Sequence, residues 1–85
     1  MEGIRFNLEQ TLDYLGMTRN KLSVESKTRQ ATILDLAAGE SKTVRLDTLV
    51  SILDTLNETA KRRGLERKFG VDDVIQYIPV EDRTD

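Results

Sequence analysis

The chain contains no cysteine, no histidine and no tryptophan among its 85 residues. Without cysteine it forms no disulfide, and without cysteine and histidine it cannot assemble the usual zinc ligand sets. The same two absences exclude serine or cysteine nucleophiles that depend on a histidine base. Glycine-rich phosphate loops of the Walker or dinucleotide-binding type are absent as well. We therefore expect a protein that uses no metal and no cofactor.

Long hydrophobic runs are also missing. The longest apolar stretches are a few residues, whereas a membrane-spanning helix needs roughly 20. The amino terminus has no signal-peptide pattern. We expect a cytoplasmic protein with no membrane contact.

Asp72 and Asp73 form a pair of adjacent carboxylates, a residue type that can carry hydrolytic chemistry. Adjacent acids before an apolar run are better explained as a helix start, because negative charge there meets the positive end of the helix dipole. A hydrolytic carboxylate pair also needs a cleft, for which so short a chain has little room. We therefore expect a protein that is not an enzyme.

Apolar residues make up 38% of the chain and charged residues 33%, a balance typical of a single globular domain. The net charge is −2, but the charges are segregated. Residues 18–45 hold six basic and three acidic side chains, a net charge of +3. Residues 61–68, the basic block, hold five basic and one acidic, a net charge of +4. This pattern is compatible with one basic face on an acidic body, or with two solvated faces.

The spacing of apolar residues predicts four helices. The first carries a stripe of leucines and stops at Gly16; the second begins at a Thr18 cap and ends near Ser26. A compact turn leads to the third, which Gly39 closes. The fourth begins near Asp47 and has the strongest stripe. The expected core positions of the four helices are Leu8, Leu12, Leu15, Leu22, Ile33, Leu36, Ala37, Leu46, Leu49, Ile52, Leu53, Leu56 and Ala60.

Near both ends of the chain lie short segments whose residue pattern differs from that of the four helices. Residues 3–7 alternate apolar and polar side chains, which predicts a short strand or an extended lead-in. Residues 71–78 predict a short helical turn or a strand that Pro79 terminates. We expect one domain over residues 1–80 and a mobile tail over residues 81–85.

The segments "MTRNKLSVESKTRQATILDLAAGE" and "VRLDTLVSILDTL" together resemble the Cro/CI-type, or XRE-family, helix-turn-helix domain of bacterial and phage repressors. The resemblance covers roughly residues 5–57, with the motif at about 18–38. It implies a mainly α, lambda-repressor-like domain of four to five helices with short terminal strands. It also implies sequence-specific binding of double-stranded DNA by a small transcriptional regulator, a repressor by analogy, acting as a homodimer.

Two positions depart from the family pattern. Family members usually have glycine in the turn where Lys27 stands and an apolar residue where Thr28 stands. A lysine forced to positive φ costs about 1 kcal/mol, so the turn either tolerates that strain or has a different shape. We interpret Thr28 as an N-cap of the third helix. The small residue usual at Ser23 is retained.

The resemblance makes the helix over about residues 28–38 the recognition helix, which enters the major groove by its amino end. The candidates for reading bases are Arg29, Gln30, Ala31 and Leu34. The candidates for phosphate contacts are Arg19, Lys27, Thr32, Ser41, Lys42 and Arg45. The role of the basic block stays open between DNA contact and a solvated face.

Two alternatives remain at this point. Arg29 and Gln30 are also typical of an exposed polar surface on a helical bundle. The whole domain could instead be a protein-interaction module, or the antitoxin of a toxin–antitoxin pair, whose main partner is a protein. For the homodimer, the candidate surfaces are the "IRF" and "VIQYI" segments and the exposed side of the fourth helix.

Overall fold

Four helices and two short strands build the chain in the computed structural model, which describes residues 2–83. In chain order they are β1 (Ile4–Phe6), α1 (Leu8–Leu15), α2 (Arg19–Ser26), α3 (Gln30–Ala38), α4 (Leu46–Arg62) and β2 (Ile75–Tyr77). Single 3₁₀ turns lie at Val71–Asp73 and Val80–Asp82. The predicted mainly helical class, with short strands near both ends, is confirmed.

The helices stop where the sequence predicts. Gly16 and Gly39 follow α1 and α3 with φ of 65° and 75°, a left-handed conformation that glycine adopts without steric cost. Thr18 caps α2, since its hydroxyl oxygen accepts a hydrogen bond from the Lys21 amide at 3.0 Å. α4 ends at Arg62, just before Gly64.

The two strands pair with each other. β1 and β2 run antiparallel, with Arg5 opposite Gln76 at the centre of the register. The 3₁₀ turn at Val71–Asp73 leads directly into β2. Residues 71–78, which were predicted to form either a helical turn or a strand, therefore form both. This small sheet joins the two ends of the domain, because its strands are separated by the whole helical region.

One hydrophobic core receives side chains from every helix and from the segment before β2. Its fully buried large side chains are Leu8, Leu12, Leu22, Ile33, Leu36, Ile52, Leu56 and Val74. Burying a side chain of this size contributes roughly 1.5–3 kcal/mol. Ile33 and Leu36 therefore fix how α3 is rotated, and hence which of its residues face outward. The prediction that Leu46 belongs to the core is wrong: this first residue of α4 is 78% exposed.

The chain after α4 is held against the helices by polar side chains. The Asn57 amide of α4 donates to the Phe69 carbonyl at 3.0 Å and accepts from the Phe69 N–H at 2.7 Å. Near the carboxyl end, the Arg83 side chain donates to the Ile78 carbonyl at 3.0 Å. The tail predicted over residues 81–85 includes residues 84 and 85, which lie outside the described part of the chain.

Among residues 2–83, no helix combines the length and the apolar composition that crossing a bilayer requires.

Candidate functional site

The turn between α2 and α3 contains a lysine in a left-handed conformation. Lys27 follows α2 with φ of 56° and ψ of 37°. Its amide donates to the Val24 carbonyl at 3.3 Å, and the next amide, of Thr28, donates to the Ser23 carbonyl at 3.1 Å. Of the two possibilities that the sequence left open, the turn therefore tolerates the strain, at a cost of about 1 kcal/mol.

Two serines hold this turn in place. The Ser23 hydroxyl donates to the Thr28 carbonyl at 2.6 Å, and the Ser26 hydroxyl donates to the Leu22 carbonyl at 2.6 Å. Both serines are buried, so their hydroxyl groups need these partners. The small side chain retained at Ser23 thus fastens the start of the α3 segment to α2.

The prediction that Thr28 caps α3 is wrong. The helix begins at Gln30, two residues later than the predicted start, and its N-cap residue is Arg29, which makes no side-chain capping bond. The Thr28 hydroxyl lies 3.0 Å from the Ser26 hydroxyl instead. Because that oxygen is directed back toward α2, it cannot accept from the first amides of α3.

The first turns of α3 present a continuous exposed face. Gln30, Ala31 and Leu34 lie on one side of the helix by its 3.6-residue periodicity, and Arg29 precedes them; all four are exposed. Ile33, between them in sequence, has 0% of its surface exposed, against 38% for Leu34. The four side chains predicted to read bases are therefore brought together, and the core residues of α3 lie behind them.

A polar cleft of about 520 Å³ opens beside this face, where the turn approaches the start of α4. We call it the polar cleft; its lining residues are Lys27, Thr28, Arg29, Thr32, Arg45, Asp47, Thr48 and Ser51. Three of the residues predicted to contact phosphate line it: Lys27, Thr32 and Arg45. The cleft thus adjoins the exposed face of α3 and is predominantly cationic.

The sequence pattern does not mark Thr48, Ser51 or Asp47 as site residues. On α4 they read as the polar side of an amphipathic helix, and nothing in the local pattern separates them from other polar residues there. They become part of a site only because α4 starts close to the turn after α2.

Arg45 already has an acidic partner within the polar cleft. Its guanidinium donates to both Asp47 carboxylate oxygens, at 3.1 Å and 3.0 Å, and the Thr48 amide donates to the same carboxylate at 2.8 Å. The Arg45 hydrogen bond, helped by the backbone one, lowers the pKa of Asp47 below its ordinary value. The carboxylate is therefore ionised at neutral pH.

Arg19 is also engaged with an acid. At the start of α2 it pairs with both carboxylate oxygens of Glu9 on α1, at 3.0 Å and 2.6 Å. This hydrogen bonding lowers the pKa of Glu9. The pair lies on the surface and ties α2 to α1, so a phosphate at Arg19 would have to share or replace the carboxylate.

Ser41 and Lys42 are not brought to the polar cleft. They line a separate cavity of about 150 Å³ whose wall is mostly apolar, formed by the sheet and the loop before α4. Its other lining residues are Ile4, Phe6, Leu36, Thr43, Val44 and Ile75. The residues predicted to contact phosphate therefore fall into three groups rather than one.

The basic block is partly neutralised by pairing within the chain. Arg62 pairs with Glu25 of α2 at 3.0 Å, and Arg67 pairs with Asp73 at 2.8 Å. The Arg67 guanidinium also lies 4.7 Å from the ring centres of both Tyr14 and Phe69. These contacts favour a structural role for both residues: Arg62 fastens the end of α4 to α2, and Arg67 fastens the chain after α4 to Tyr14 of α1 and to Asp73.

No known protein family, no curated protein and no solved structure matches this chain.

Proposed function

We propose that the protein binds double-stranded DNA with sequence preference, as a small transcriptional regulator of the repressor type and without catalytic activity. One observation carries the proposal: the amino end of α3 exposes Arg29, Gln30, Ala31 and Leu34 together, directly beside a cationic cleft. An exposed helix start flanked by cations has the shape and charge that major-groove recognition requires.

In this proposal α3 enters the major groove by its amino end, and α2 crosses the backbone. The Gln30 amide bonds adenine by accepting from N6–H and donating to N7. Arg29 donates to guanine O6 and N7, or to a phosphate. Ala31 and Leu34 contact thymine methyl groups. Arg29 precedes the first residue of α3 and also lines the polar cleft, so it is near both possible partners.

Phosphate contacts set the register of α3 on the duplex without reading sequence. Lys27, Thr32 and Arg45 supply them from the polar cleft. Arg19 lies at the start of α2 and supplies one by exchanging its Glu9 partner. Ser41 and Lys42 precede α4 and would contact the backbone from the loop.

We propose that the regulator acts as a homodimer. One helix-turn-helix reads only a few base pairs, so two copies on half-sites about one helical turn apart are needed for useful specificity. The two strands pair within each chain, and among residues 2–83 no third strand pairs with an outer edge of the sheet, so a second copy could pair there. Leu46 and Val50, exposed on the outer side of α4, offer another contact surface.

The same two exposed side chains favour one alternative. Leu46 and Val50 are 78% and 55% exposed and lie four residues apart on α4, and exposed apolar side chains at helical spacing are typical of a surface that a protein partner covers. The alternative function is a protein-interaction module or an antitoxin. An antitoxin that also repressed its own operon would satisfy both proposals.

The salt dependence of the affinity for duplex DNA distinguishes DNA binding from the protein-partner function. Four of the phosphate candidates are cationic: Arg19, Lys27, Lys42 and Arg45. If all four release counterions, affinity for a random-sequence duplex is expected to fall roughly 100-fold for each bound copy of the chain between about 50 mM and about 200 mM salt, as measured by fluorescence anisotropy. A protein that binds no duplex even at the lower concentration would not be a DNA-binding protein, and the protein-partner function would then be favoured.

A further inference from the structure

The polar cleft contains one carboxylate among its cations. Lys27, Arg29 and Arg45 contribute three positive charges to the lining, and Asp47 contributes the single negative one. Every other lining residue carries a hydroxyl group: Thr28, Thr32, Thr48 and Ser51. Guanidinium, ammonium and hydroxyl groups all donate hydrogen bonds, and a group with several anionic oxygens can accept from many of them at once.

In the free protein Asp47 engages one of these groups, the Arg45 guanidinium, and one backbone amide. Its carboxylate accepts both hydrogen bonds from Arg45 and the one from the Thr48 amide. The Arg45 and Asp47 side chains are nevertheless 81% and 69% exposed. An ion pair so open to water contributes little net free energy, so a second anion can displace the carboxylate from Arg45 without a large cost.

We propose that Asp47 is an internal competitor of a DNA phosphate for Arg45 and for the polar cleft. In the free protein the Asp47 carboxylate is hydrogen-bonded to the Arg45 guanidinium. On binding, a backbone phosphodiester takes its place, and the hydroxyl groups of Thr48 and Ser51 donate to the same phosphate. This inference rests on the proposed function, and it adds two phosphate-binding residues and one residue that weakens binding.

The consequence is a uniform reduction of affinity. After the exchange the Asp47 carboxylate stays close to the phosphate that displaced it, and the two negative charges repel each other. Because a phosphate carries no sequence information, the repulsion weakens every duplex alike and leaves base preference unchanged. Asp47 therefore sets the strength of binding while α3 sets its specificity.

The variant Asp47→Asn tests this inference, with Asp54→Asn as a matched control. Both remove one negative charge from an exposed position of α4, but Asp54 lies outside the lining of the polar cleft. Asp47→Asn is expected to raise affinity for any duplex about five- to tenfold at about 0.1 M salt, and Asp54→Asn less than about twofold. Ser51→Ala is expected to lower affinity about threefold.

Equal effects of the two asparagine variants, or weaker binding by Asp47→Asn, would overturn the inference. A second experiment tests the inference about Asp47 separately from the proposed function. In an NMR titration with inorganic phosphate, Asp47→Asn is expected to bind more tightly than the unchanged protein, with shifts centred on the amides of Thr32, Thr48 and Ser51. If the unchanged protein bound no duplex, the proposed function would be refuted instead. If phosphate shifted amides outside the polar cleft only, the polar cleft would not be the phosphate-binding site.

Discussion

A protein in which Arg29 and Gln30 are both replaced by alanine is expected to bind its preferred duplex about 100-fold more weakly than the unchanged protein at physiological salt. A well-formed bidentate contact to a base discriminates by roughly 1–3 kcal/mol, so losing two such contacts removes about two factors of ten. Both side chains are exposed and lie before or at the first residue of α3, so the melting temperature should hardly change. Fluorescence anisotropy and thermal circular dichroism measure the two quantities.

The matched control is Arg5→Ala with Gln10→Ala. It removes the same two side-chain types and the same charge from exposed positions on β1 and α1, and it leaves unchanged the backbone groups through which the edge of β1 would pair with a second copy. This control is expected to bind its preferred duplex within about threefold of the unchanged protein, because one distant charge makes only a screened contribution. If the control and the Arg29 and Gln30 variant lost affinity equally, the start of α3 would not read DNA bases.

The replacement Ile33→Ala is expected to destabilise the domain by about 3–4 kcal/mol. Ile33 is fully buried, and truncating such a side chain removes its transfer free energy and leaves a cavity among its neighbours. For a domain of this size the melting temperature should fall by roughly 15–25 °C. Urea unfolding monitored by circular dichroism gives the free energy, and the thermal melt gives the temperature.

Leu34→Ala provides the control within the same helix. Leu34 follows Ile33 directly but is 38% exposed, so the same truncation is expected to cost less than about 1.5 kcal/mol. Its effect on duplex binding is expected to exceed its effect on stability, because it belongs to the base-reading face. Comparable destabilisation by the two variants would mean that α3 is not rotated as described.

Apolar spacing was enough to predict the helices. The leucine stripe of α1, the buried positions of α3 and the long stripe of α4 all depend on residues three and four apart, which one helix brings together by its own geometry. Helix ends at Gly16 and Gly39 were predictable for the same reason, since a left-handed stop is a local requirement. The exposed face of α3 followed once its buried side was known.

What the sequence could not provide depends on contacts between distant segments. Thr28 was a reasonable cap by local pattern, but after the left-handed turn at Lys27 its hydroxyl lies beside that of Ser26. The polar cleft joins residues of the turn to Thr48 and Ser51 on α4, about 20 positions later in the chain. The stacking of Arg67 on the rings of Tyr14 and Phe69 likewise has no signature in the spacing of residues.

Selection of bound sequences from a random duplex library shows whether α3 reads DNA. We expect enrichment of a short motif repeated with two-fold symmetry, its half-sites about 10 base pairs apart from centre to centre. We also expect that the Arg29 and Gln30 double-alanine variant loses this enrichment. A library that remained random after repeated rounds with the unchanged protein, at a salt concentration where it binds duplex, would contradict sequence-specific recognition.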